Sequence, residues 1–85
     1  MMISVFYQRK PERDTPYREL FFECDSEAKW HVVLKAGTKW GRDHAEKLSD
    51  FTAQDWQAAQ AEYDRLFIEL QKSGWRLYTP YESWD

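Results

Sequence analysis

Few of the side chains in this 85-residue chain could do chemistry, and their spacing suits little of it. Cys24, the single thiol, and His31 could act as nucleophile and base only if adjacent strands bring them together. The alternation around Cys24 sets it with Leu20 and Phe22 on an apolar face, the setting of a buried structural thiol. Asp43, His44 and Glu46 form an acidic-histidine cluster near a predicted turn, yet two His and one Cys complete no metal-ligand set at a known spacing. Gly37, Gly41 and Gly74 are the only glycines, too scattered for a phosphate-cradling loop, and no Gly-x-Ser-x-Gly elbow occurs. The expectation is a chain with no catalytic residues, metal, cofactor or small-molecule substrate.

Binding is better provided for. Five Trp, five Tyr and five Phe exceed what so small a core can enclose, so aromatic surface must remain exposed. Trp30 and Trp56 have core-like spacing, Trp75 can cap a helix, and Trp84 lies one residue from the C-terminus. Trp40 stands in Lys39-Trp40-Gly41-Arg42, a flat indole between cations and beside a residue without a side chain. Such a group suits stacking on a base with cations on phosphate. Composition leaves this open against a second reading, in which Trp40 is a core residue and the cations are solvated.

The elements that would position these residues are legible from periodicity. Ile3, Val5 and Tyr7 alternate with Ser4, Phe6 and Gln8. Leu20, Phe22 and Cys24 alternate with Glu19, Phe21 and Glu23, and Trp30, Val32 and Leu34 with His31, Val33 and Lys35, giving three strands. Asp25-Ser26-Glu27-Ala28 and Ala36-Gly37 read as short turns, which favours antiparallel pairing because a parallel crossover needs far more chain. A fourth strand is expected over 38–42 and a fifth over 46–51. The segment 9–16, with two prolines and mixed charge, reads as an exposed loop, and 77–85 as an extended tail with Pro80 at a sheet edge.

The clearest element is a helix over 53–73. Thr52 reads as its N-cap, Asp55 stands at the capping-box position, and Phe51 is placed to pack on Trp56. Trp56, Ala59, Tyr63, Leu66, Phe67 and Leu70 recur at spacings of three and four, forming one apolar stripe. Gly74 supplies the left-handed residue after the helix, and Trp75 can fold back on Leu70. The predicted fold class is α+β: one domain over 1–85, a small antiparallel β-sheet packed on one C-terminal amphipathic α-helix.

Charge narrows the partners. The formal net charge of −3 argues against a uniformly basic surface, but its distribution is uneven. Lys29, Lys35, Lys39 and Arg42 occupy a stretch without acids, whereas Asp55, Glu62, Asp64 and Glu69 dominate the helix. No apolar run approaches the roughly 18 residues of a membrane span, so no membrane is expected. The opening residues lack a basic lead and a cleavage site, and a single cysteine suits a reducing compartment, so the cytoplasm is the expected location.

Around Trp40-Gly41-Arg42 the chain resembles the WGR domain, a small sheet-and-helix module of DNA-dependent poly(ADP-ribose) polymerases and of bacterial WGR proteins. Tyr17-Arg18-Glu19-Leu20-Phe21-Phe22 resembles that family's opening strand, and Lys29-Trp30-His31-Val32-Val33 its aromatic-led second strand. Phe51 resembles the residue before its helix, and Lys72-Ser73-Gly74-Trp75 its helix ending. The resemblance spans roughly residues 17–76 and implies DNA contact through the positions Trp40 and Arg42. With the neighbouring charges it gives an expected nucleic-acid surface of Lys29, Lys35, Lys39, Trp40 and Arg42. The alternative is a protein-interaction module or small regulator whose acidic face, Asp55, Glu62, Asp64 and Glu69, occupies a basic partner.

Overall fold

The computed structural model describes residues 1–38, 45–79 and 81. Four strands, β1 (Met2–Tyr7), β2 (Tyr17–Cys24), β3 (Trp30–Gly37) and β4 (Glu46–Ala53), precede helix α1 (Trp56–Lys72), and a two-residue strand β5 (Arg76–Leu77) follows it. The strands form one antiparallel sheet in the order β4-β3-β2-β1-β5. This is the predicted α+β class, a five-stranded sheet against one helix.

Period two divides each strand between two faces. Phe6, Leu20 and Val32 point under α1 and are fully buried, and Phe22, Trp30, Leu34 and Phe51 pack around them. From the helix come Ala59, Tyr63, Leu66 and Leu70, the middle and end of the predicted stripe. Burying each large apolar side chain here contributes about 1.5 to 3 kcal/mol. Tyr63 keeps a polar partner, its hydroxyl lying 2.6 Å from Ser4 Oγ. In β1 it is Phe6, flanked by Ser4, that enters the core, so Ile3, Val5 and Tyr7 share the face that α1 leaves open.

Several boundaries differ from expectation, each for a tertiary reason. Thr52 belongs to β4, where it pairs with His31, so the helix begins later and Asp55 is its N-cap, accepting from the Ala58 N–H at 2.8 Å. That removes Thr52 as cap and the Phe51–Trp56 staple with it, and Trp56, expected in the core, is 53% exposed. Cys24, expected to be buried, is exposed because β2 ends there, beyond the reach of the helix. Ala36 and Gly37, read as a turn, continue β3 opposite Arg18 and Tyr17. Of the strand expected over 38–42, Thr38 is a bend after β3 and the rest lies outside the described residues. The strand expected over 46–51 extends to Ala53. The tail supplies β5 beside Phe6 and Tyr7, while Pro80 lies outside the described residues.

The helix ending follows the expected pattern. Gly74 has φ +88°, its N–H donates to Gln71 O at 3.1 Å, and the Trp75 N–H donates to Leu70 O at 2.9 Å. That pair of bonds satisfies the last-turn carbonyls. It also turns Trp75 inward, where the Arg18 guanidinium stands 4.3 Å from its ring centre.

Candidate nucleic-acid interface

The open face of the sheet carries Ile3, Val5, Phe21 and Val33, with charged neighbours on both sides. Lys35 Nζ stands 5.1 Å from the centre of the Phe21 ring, a cation over an aromatic face on the strand leading into Lys39. This pair lines an open groove of about 340 Å³ together with Met1, Val33, Glu23, Asp25, His31, Lys47 and Asp50. A bulge shapes its rim: Leu34 pairs with Ser49 but Lys35 pairs with Lys47, so Leu48 is an extra residue. The shift brings Lys47 and Asp50 to the same face, where they meet at 3.0 Å.

Of the predicted nucleic-acid residues, Lys39, Trp40 and Arg42 lie outside the described residues. Their flanks are clear. Gly37 pairs with Tyr17 and Ala36 with Glu46, so Thr38 and Ala45 lie at the end of the sheet where β2 starts. Lys29 does not join Lys35. Lys29 stands just before β3, six positions from Lys35 and about 20 Å away at the usual rise of an extended chain, and it pairs instead with Glu27 at 3.5 Å in the β2–β3 hairpin.

That hairpin holds another polar array. His31 Nε2 lies 2.7 Å from Asp25 Oδ2, and His31 Nδ1 lies 3.1 Å from Thr52 Oγ1, so the imidazole ties the hairpin to β4. Asp25 also accepts from the N–H groups of Glu27 and Lys29 at 2.8 and 3.0 Å. Chiefly the His31 bond, then the Lys29 N–H, lowers the Asp25 carboxyl to about 2. Cys24 takes no part: it pairs with Trp30, on the opposite face from His31, and its thiol donates to Asp25 O at 3.7 Å. The thiol and base pair considered from sequence therefore does not form. Of the acidic-histidine cluster, Asp43 and His44 lie outside the described residues and Glu46 is exposed at the start of β4.

The acidic helix face is largely engaged by the helix itself. Arg65 donates to Glu62 at 2.6 and 3.0 Å and to Glu69 at 2.9 Å, Asp64 accepts from Gln60 at 2.9 Å, and Asp55 caps the first turn. The Glu62 bonds are the main reason that the Arg65 pKa is raised.

One group of charges was missed from sequence. Arg9, Lys10 and Arg13 in the 8–16 loop and Lys72 at the end of α1 are exposed, and among the described residues none has an ion pair, side-chain hydrogen bond or ring contact. A loop read by composition as merely solvated gave no signal of its neighbours. Among the described residues no helix is long and apolar enough to cross a membrane. No protein-family profile, curated protein or solved structure matches the chain, so a functional reading rests on these residues themselves.

Proposed function

We propose that the chain is a non-catalytic binding module of the WGR kind that contacts nucleic acid through the basic and aromatic region of β3 and the segment after it. The observation that carries this reading is Lys35 over Phe21 on the face that α1 leaves open. An aromatic ring of β2 and a cation of β3 are thus presented together, and β3 is the strand that runs into Lys39, Trp40 and Arg42. In this reading Trp40 stacks at a nucleic-acid end while Lys35, Lys39 and Arg42 meet phosphates. Lys29, paired to Glu27 at the far hairpin, adds little. The module needs no cofactor or membrane, and a reducing compartment such as the cytoplasm suits its exposed Cys24.

The rival acidic-face reading would require a basic partner to displace Arg65 from Glu62 and Glu69, which weakens it. Trp40→Ala tests the favoured reading. Binding to a blunt duplex end should fall by about 1 to 3 kcal/mol, the usual loss for one aromatic platform, with the melting temperature almost unchanged. A loss of about 3 to 5 kcal/mol in stability would instead return Trp40 to the core.

A further inference from the structure

We infer that the end of the sheet formed by the 8–16 loop and the C-terminus of α1 is a second phosphate-contacting surface, one that engages a nucleic-acid backbone through Arg9, Lys10, Arg13 and Lys72. The inference rests on the nucleic-acid reading and enlarges its footprint.

Topology brings these residues together from distant parts of the chain. Tyr7 pairs with both Tyr17 and Arg76, and Gln8 Nε2 donates to Ser73 O at 3.2 Å across a separation of 65 positions. The loop thereby rests against the helix end that carries Lys72. Its shape is fixed from within: Thr15, buried at 5% exposure, accepts from the Glu12 N–H at 2.7 Å and returns its own N–H to Glu12 O at 3.2 Å. Cations on a pre-shaped loop lose less freedom on binding than cations on a loose one. Glu12 and Asp14 share the loop, but Arg9, Lys10, Arg13 and Lys72 outnumber them.

Partnering separates these cations from the others. Lys29 is held by Glu27, Lys47 by Asp50, and Arg65 by Glu62 and Glu69, while Arg18 lies over the Trp75 ring. A partnered cation must give up its carboxylate before it can neutralise a phosphate. The four unpartnered ones are free to do so and to release condensed counterions. They also stand at the same end as Thr38 and Ala45, so one duplex could meet both surfaces.

The test is fluorescence anisotropy with a labelled blunt duplex over a salt series, comparing wild type with the combined variant Arg9→Ala, Lys10→Ala, Arg13→Ala, Lys72→Ala. A control, Arg65→Gln, removes partnered charge on the exposed side of α1. The combined variant should melt like wild type by circular dichroism. Its slope of log affinity against log salt should flatten by about 3 to 4, each phosphate contact contributing about 0.9, while the control keeps the wild-type slope. Should the combined variant fold poorly, Arg9→Gln with Lys10→Gln alone should flatten the slope by about 2. Wild-type binding with an unchanged slope in these variants would overturn the second surface and leave the functional reading standing. No wild-type binding to the duplex would overturn both.

Discussion

The ring of Tyr17 on β2 lies over the backbone of Gly37, its partner on β3. A Cβ built on Gly37 would stand 2.7 Å from Cε1 of that ring and closer still to Cζ. Glycine is needed there for close approach, since any side chain would lift the ring from the strand. Gly37→Ala should therefore destabilise by about 1 to 3 kcal/mol, as overpacking does. In a Tyr17→Ala background the same substitution should cost almost nothing, and urea denaturation of the double-mutant cycle reads the difference. Additive losses would disprove the contact.

Leu66 and Trp56 should respond unequally to truncation. Leu66 is 7% exposed beneath α1, so Leu66→Ala should cost about 2 to 5 kcal/mol through lost burial and a cavity. Trp56→Ala should cost less than about 1 kcal/mol, because more than half of that side chain is already in water. A large loss at Trp56 with a small one at Leu66 would mean that α1 is rotated on the sheet.

Acid should loosen the β2–β3 hairpin. The Asp25 carboxyl, normally near 3.8, is held at about 2 in the fold, first by His31 and then by the backbone N–H of Lys29. Because the folded value is the lower one, its stabilisation is complete above the ordinary value and disappears as pH falls from 3.8 toward 2. Melting temperatures across that interval should decline, and Asp25→Asn should decline less from a lower start. Parallel curves for the two proteins would show that Asp25 is not the group responsible.

Ala28 closes the same hairpin with φ +62°, a left-handed conformation that costs a residue bearing a Cβ about 1 to 2 kcal/mol. Ala28→Gly relieves this at some expense in unfolded-chain entropy, and the net expectation is a gain of about 0.5 to 1 kcal/mol. A loss on chemical denaturation would contradict the strain.

What was legible in the sequence was local. The alternation around Leu20, Val32 and Leu34 set the inward face of β2 and β3, and Gly74 with Trp75 marked the helix ending because both signals lie within a few residues of their partners. Where two residues could do the same job, sequence left the choice to tertiary structure. Thr52 and Asp55 can both cap a helix, and the pairing of Thr52 with His31 decides for Asp55. Gly37 reads as a turn until Tyr17 is seen to cover it. The free cations were the least legible, since nothing near Arg9 in the chain announces that Lys72 lies beside its loop, and the Lys39–Arg42 part of the expected site falls outside the described residues.

Binding of the wild-type protein to broken duplex, single strand and intact circular duplex, each titrated at two salt concentrations, tests nucleic-acid contact most directly. Nucleic-acid contact of the proposed kind requires binding to the broken duplex that weakens as salt rises, because phosphate contacts release counterions, and weaker binding to the intact circle. Absence of binding to all three at the lower salt would contradict it, and capture of a basic protein abolished by Glu62→Lys with Asp64→Lys would put the acidic helix face in its place.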